Sequence, residues 1–151
     1  LLGVRSSAFL AGYLNFYFHL IFKNVTLVQS AAGEIFDQML RIGPGDVLVG
    51  ISFPRYSQIA VNAVRFARDR GADVIAVTDS KMSPIYKMAS ASLLVSSDMI
   101  SFVDSMAAPV SLLNALIMAV GQQKSEETAE SFSELERVWS QYGVFGDAED
   151  E

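Results

Sequence analysis

The sequence predicts an α/β fold, a doubly wound parallel sheet with helices on both faces. Three observations carry this. The runs "DVLVGIS" (46–52) and "ADVIAVTD" (72–79) are almost wholly apolar, as strands covered on both faces must be. Segments of helical spacing alternate with these runs, and Gly/Pro clusters such as "GPG" (43–45) punctuate the alternation. Strands alternating with helices imply right-handed βαβ units, and in such sheets ligands bind outside the carboxyl ends of the strands.

Leu1-Leu2-Gly3 reads as the end of a first strand. The stretch from Ala8 to Phe22 is the most hydrophobic of the chain, flanked by Arg5 and Lys23 and interrupted by Asn15 and His19. A spanning helix needs about 20 apolar residues, so this is expected to be a core helix. Its aromatics at 9, 13, 16, 17, 18 and 22 run most of the way around it, which suggests a subunit contact as well. "VTLVQ" (25–29) is a short β-branched strand, and "GEIFDQMLRI" (33–42) a helix. Ser57 opens a helix whose Ile59, Ala60, Ala63, Val64 and Ala67 follow helical spacing. Arg65, Arg68 and Arg70 suit its C-terminal end, and Gly71 closes it. Ser83 and Pro84 are start signals for a helix over 83–89. "SLLVSS" (92–97) is the fifth strand, 102–123 a long helix interrupted by Pro109, and 126–143 an amphipathic helix carrying Phe132, Leu135, Val138, Trp139 and Tyr142. The Trp139 helix is a second candidate for a subunit interface.

At 151 residues and 51% hydrophobic, the chain is long and apolar enough for one well-packed domain. With no cysteine, neither disulfides nor thiolate metal sites hold it together. Residues 1–123 carry nine Lys/Arg against eight Asp/Glu, and residues 124–151 two against nine. The negative charge therefore sits in the last helix and the tail "GDAEDE", a solvated end, and there is no basic stripe to follow a nucleic-acid backbone. The chain opens on a strand end without an initiator Met, and a fragment of a longer protein is expected.

Two loops run from a strand end to a helix start: "GVRSS" (3–7) and "SFPRYS" (52–57). A helix N-terminus offers free N–H groups and the positive end of the helix dipole, a ready anion site. Ser6, Ser7, Ser52 and Ser57 add hydroxyls, Arg5 and Arg55 add bidentate charge, Gly3 permits close backbone approach, and Tyr56 can meet a ring or a hydroxyl. A plainer reading makes Ser57 an ordinary N-cap, Pro54 a turn residue and Arg55 a surface arginine.

"GVRSS", the segment "VLVGISFPRYSQIAVNAVRFARDRGADVIAVTDSKMSPI", "SLLVSS" and "PVSLLNALI" together resemble the SIS (sugar isomerase) domain, in particular the sensor half of RpiR-type transcriptional regulators. The resemblance covers residues 1 to about 123, leaving 124–151 as a C-terminal helix and acidic tail. It implies a three-layer αβα sandwich of flavodoxin-like winding around a five-stranded parallel sheet, assembly into dimers or tetramers, and sugar-phosphate ligands. It also implies an N-terminal helix-turn-helix domain, lying outside this chain, as the only route to DNA. In the family the phosphate sits on a Ser-x-Ser-Gly-x-Thr/Ser loop. Ser52 and Ser57 match its ends, while Pro54 and Arg55 stand for its second serine and its glycine. The first loop is Gly-x-Gly-x-Ser. Gly3 and Ser7 match, and Arg5 stands for the second glycine. Ser97, Ser101 and Ser105, after the fifth strand, are expected to meet sugar hydroxyls.

Isomerisation needs a base poised to move a proton between adjacent carbons. The only histidine, His19, lies mid-helix among aromatics, and Asp79, Asp98 and Asp104 are the carboxylates near strand ends. Asp79 reads as a turn or cap residue, and Glu34 opens a helix where an acid suits the dipole. No acid–base pair stands out, so the expectation is a cytoplasmic ligand sensor with no catalytic residue, cofactor or metal. An isomerase and a ligand-free dimerisation module are the alternatives.

Overall fold

The computed structural model describes residues 1–29, 34–100 and 102–145. Its sheet holds β1 (Leu2–Gly3), β2 (Val47–Ile51), β3 (Asp73–Thr78) and β4 (Ala91–Leu94), all parallel and adjacent in that order. Val28 adds one parallel bridge on the free side of Leu2, at the far edge from β4. The strand expected over 25–29 is thus a single bridge. The pairing rests on Val28 N–H donating to Leu1 O at 2.9 Å and Leu1 N donating to Thr26 O at 2.8 Å.

The pleat sends alternate residues to opposite faces, and each face is covered. Leu48, Val74 and Ala76 pack with Ala60, Ala63, Val64 and Ala67 of α3 (Gln58–Asp69) and with Ile35 of α2 (Glu34–Gln38). Val49, Ile51 and Val77 pack with Leu10, Leu14 and Phe18 of α1 (Ser7–Ile21) and with Leu113 of α4 (Ala107–Gln123). The result is the αβα sandwich expected. Gly50 lets α3 sit close, since a Cβ there would stand 2.9 Å from Val64 Cγ2.

Several elements are shorter than the sequence suggests. The helix over 33–42 shrinks to α2, with Gly33 outside the described residues; beyond Gln38 the backbone tightens into turns, Leu40 N–H on Asp37 O at 3.2 Å and Ile42 N–H on Met39 O at 3.0 Å. The helix over 83–89 is one 3-10 turn, Tyr86–Met88. Ser83 does not cap it: Ile85 holds the N-cap position, and Ser83 lies two residues ahead with its side chain fully buried. The strand expected over 92–97 is β4, over 91–94, and because 25–29 supplies only a bridge the parallel sheet has, among the described residues, four strands rather than the five expected.

The helix expected from 102 begins at Ala107. The residues before it form an antiparallel hairpin, β5 (Met99–Ile100) with β6 (Val103–Asp104). Pro109 therefore falls in the first turn of α4, where an N–H has no intrahelical acceptor, and interrupts nothing.

α5 (Ser125–Tyr142) follows α4 after Lys124 alone and packs against α1 and α4, yet none of its residues is buried. On α1, Phe9 and Phe16 are exposed at 82% and 63%. No helix among the described residues is long and apolar enough to cross a membrane.

Candidate functional site

The β1–α1 and β2–α3 loops lie side by side at the carboxyl end of the sheet, as parallel pairing of Gly3 with Ile51 requires. Between them opens a small cleft of about 40 Å³. It is lined by Val4, Arg5, Ser6 and Ser7 from the first loop and by Ile51, Ser52, Phe53, Pro54, Arg55, Ser57 and Ala60 from the second. Asp104 of β6 completes it. Apolar Ile51 and Phe53 form the base, both buried.

Both helix N-termini open here, and neither α1 nor α3 has an acidic residue in its first turn. The positive ends of the two dipoles are thus left uncompensated by their own helices. Gly3 brings α1 this close. A Cβ on it would lie 2.1 Å from Ser7 O, so no other residue fits without moving the helix.

The arginines carry the feature that most separates this cleft from a generic loop pair. Arg5 and Arg55 are the only non-glycine residues at positive φ among the described residues, at 59° and 61°. Side chains with a Cβ avoid this region at a cost of about 1–2 kcal/mol per residue. Strain of this kind clusters at functional sites. Each loop therefore keeps the backbone turn of a glycine while presenting a guanidinium.

Of the residues singled out from sequence, Arg5, Ser6, Ser7, Ser52, Arg55 and Ser57 converge on the cleft, with Gly3 beneath the start of α1. Ser57 holds the N-cap position of α3, with Val61 N–H on its carbonyl at 3.0 Å, but its hydroxyl makes no cap bond, and the residue lines the cleft. Ser6 Oγ donates to Asp104 Oδ2 at 3.0 Å.

Tyr56 and Ser105 go elsewhere. Tyr56 turns out of the cleft, packs against the α3-side core and donates its hydroxyl to Asp79 Oδ1 at 2.8 Å. Burial, then the Asp79 carboxylate, pushes its pKa above the ordinary value. Ser105 is spent on backbone contacts: its N–H meets Asp98 O at 3.2 Å, and its carbonyl accepts from Ser97 Oγ at 3.2 Å. Ser101 lies outside the described residues. His19 is exposed on α1, away from the cleft lining.

Asp104 is the residue sequence reasoning underrated. It is the one carboxylate lining the cleft among the described residues, and it arrives on a hairpin whose apolar Phe102-Val103 reads as a helix start. The described residues contain no cluster of His, Cys, Asp and Glu fit to hold a metal.

The SIS domain profile matches residues 1–119. The chain belongs to the SIS domain family. Among solved structures this SIS domain is similar to the sugar isomerase domain of an RpiR transcription factor from Sphaerobacter thermophilus. The two are 22% identical over 86% of this chain and 73% of that one, with a TM-score of 0.80. It is also similar to NanR of Vibrio vulnificus, solved in complex with ManNAc-6P, at 17% identity over 96% of this chain and 55% of that one, with a TM-score of 0.75. At these identities the likeness speaks for the fold. No curated protein matches the sequence.

Proposed function

We propose that this SIS domain is the ligand-sensing part of a cytoplasmic transcriptional regulator of the RpiR type. It binds a phosphorylated sugar or sugar acid in the cleft and passes that signal to an N-terminal helix-turn-helix domain. The observation that carries the reading is the convergence of two helix N-termini, neither with an acidic residue in its own first turn, and two left-handed arginines on one cleft. An anion there meets backbone N–H groups, hydroxyls and bidentate guanidinium charge together. The RpiR and NanR neighbours support the choice of a regulator, and the ManNAc-6P held by NanR supports the ligand class.

A sensing role without turnover accords with Asp104, the one carboxylate lining the cleft among the described residues, being engaged by Ser6. An isomerase needs a base free to take a proton from carbon. Exposed Phe9 and Phe16 on α1, and the wholly unburied α5, support assembly into a homodimer or tetramer. A ligand shifts such an assembly only by binding its two arrangements unequally.

The test is a thermal-shift screen of phosphorylated sugars and sugar acids beside their unphosphorylated parents and free phosphate. A ligand at a hundredfold excess over Kd stabilises by about 2.7 kcal/mol. Stabilisation by a phosphorylated compound and not by its parent supports the reading, and incubation with that compound tests for turnover. A flat response across the panel favours the ligand-free dimerisation module.

A further inference from the structure

We infer that Tyr56, Thr78 and Asp79 are positioning residues, a brace from the end of β3 that holds Arg55 in its left-handed conformation. The loop from Ser52 to Ser57 is fastened to the neighbouring strand on both sides of Arg55. At its start, Ser52 N–H donates to Val77 O at 3.1 Å, and Thr78 Oγ1 donates to Ser52 O at 2.7 Å in a fully buried bond. At its end, Tyr56 Oη reaches across to Asp79 Oδ1 at 2.8 Å. Thr78 Oγ1 lies 3.2 Å from that same carboxylate oxygen, so the two anchors meet at adjacent residues of one strand end.

Between the anchors the backbone turns through φ 61° at Arg55. Nothing in the arginine favours that conformation, and a strained residue persists only where its surroundings over-determine it. Arg55 is itself exposed, so side-chain burial does not hold it there. The brace supplies what is missing. It also accounts for Tyr56 facing away from the cleft: its hydroxyl fixes the residue after Arg55 and so aims the guanidinium and the α3 N-terminus at one point.

The consequence for binding rests on the anion-site reading above, whereas the structural content does not. The two are separable in one set of experiments on the full chain. NMR of Arg55, through its HN–Hα coupling and backbone shifts, reports whether φ stays positive with no ligand present. In Tyr56→Phe and Asp79→Ala, Arg55 is expected to leave the left-handed region for a substantial share of the population. In Asp79→Asn, whose amide oxygen still accepts from Tyr56, it is expected to stay. Titration with inorganic phosphate then reads the site. Loss of a charge-assisted bond of this kind predicts about tenfold weaker phosphate binding in Tyr56→Phe.

Binding should be nearly restored in Asp79→Asn and should track the Arg55 conformation rather than the unfolding midpoint. Arg55 remaining left-handed in both disruptive variants overturns the brace. A wild-type protein blind to phosphate, with Arg55 still released in Tyr56→Phe, overturns the anion site and leaves the brace standing.

Discussion

Arg55→Gly separates the stability of the cleft from its use. Glycine adopts φ 61° without a Cβ clash, so the substitution recovers the left-handed penalty of about 1–2 kcal/mol. Against this, glycine frees the unfolded chain, which costs about 0.4–1 kcal/mol. Arg55 makes no salt bridge among the described residues, and its exposed side chain gives up little packing. The balance is a gain of about 0.5–1 kcal/mol, or roughly 2 °C in Tm for a chain of this length.

The same change deletes a guanidinium from the cleft, and one charge-assisted hydrogen bond to an anion is worth about 1.5–3 kcal/mol. Phosphate binding should therefore weaken about tenfold or more while the protein melts later. Differential scanning calorimetry with and without phosphate reads both quantities. A lower Tm in the absence of phosphate refutes the idea that the arginine is held against its preference. Unchanged phosphate binding removes Arg55 from the site.

Gly3→Ala is expected to cost about 3 kcal/mol or more by overpacking, because its Cβ meets the backbone carbonyl of Ser7 at 2.1 Å rather than a movable side chain; denaturant titration measures the loss. Asp104→Asn removes the one negative charge lining the cleft among the described residues, and calorimetric titration should show inorganic phosphate binding several-fold tighter. The raised Tyr56 pKa, caused first by burial and then by Asp79, has a definite sign. The folded state keeps this proton longer than the unfolded state, so the associated stability is complete below the ordinary tyrosine value of 10 and drains away as pH rises toward the folded value. Stability measured from pH 8 upward should fall less steeply above 10 in Tyr56→Phe than in the wild type; identical slopes refute the assignment.

The buried strands were legible because both their faces are covered. Leu48 and Val49, or Ala76 and Val77, serve opposite cores, and that demand leaves an unbroken apolar run. α3 was legible because its alanines and Val64 repeat with the helical period on one face. Six of the eleven residues proposed for ligand contact line the cleft because their loops are strand ends paired in parallel, a consequence of topology alone.

What escaped depends on distant partners. The β5–β6 hairpin is joined to the site by Ser6 and Asp104, which are 98 positions apart, and no local pattern announces it. The direction of Tyr56 is set by a carboxylate 23 residues on. At 86–88 a 3-10 turn stands in place of the helix that a good pair of start signals announced, with Ile85 at its N-cap and Ser83 buried two residues ahead of it. The left-handed arginines have no propensity signal at all. They were visible only as departures from a motif that has glycine at both places.

That pair of arginines bears on how such a cleft can change over generations. Glycine and arginine codons can differ by a single base, and the left-handed turn that Arg5 and Arg55 adopt is one glycine takes without strain. Positions 5 and 55 thus behave as sockets, where charge can be inserted or withdrawn while the path of the chain stays put. A lineage, or a protein engineer, can retune what the pocket accepts at these two codons and leave the sheet, the helices and their packing untouched.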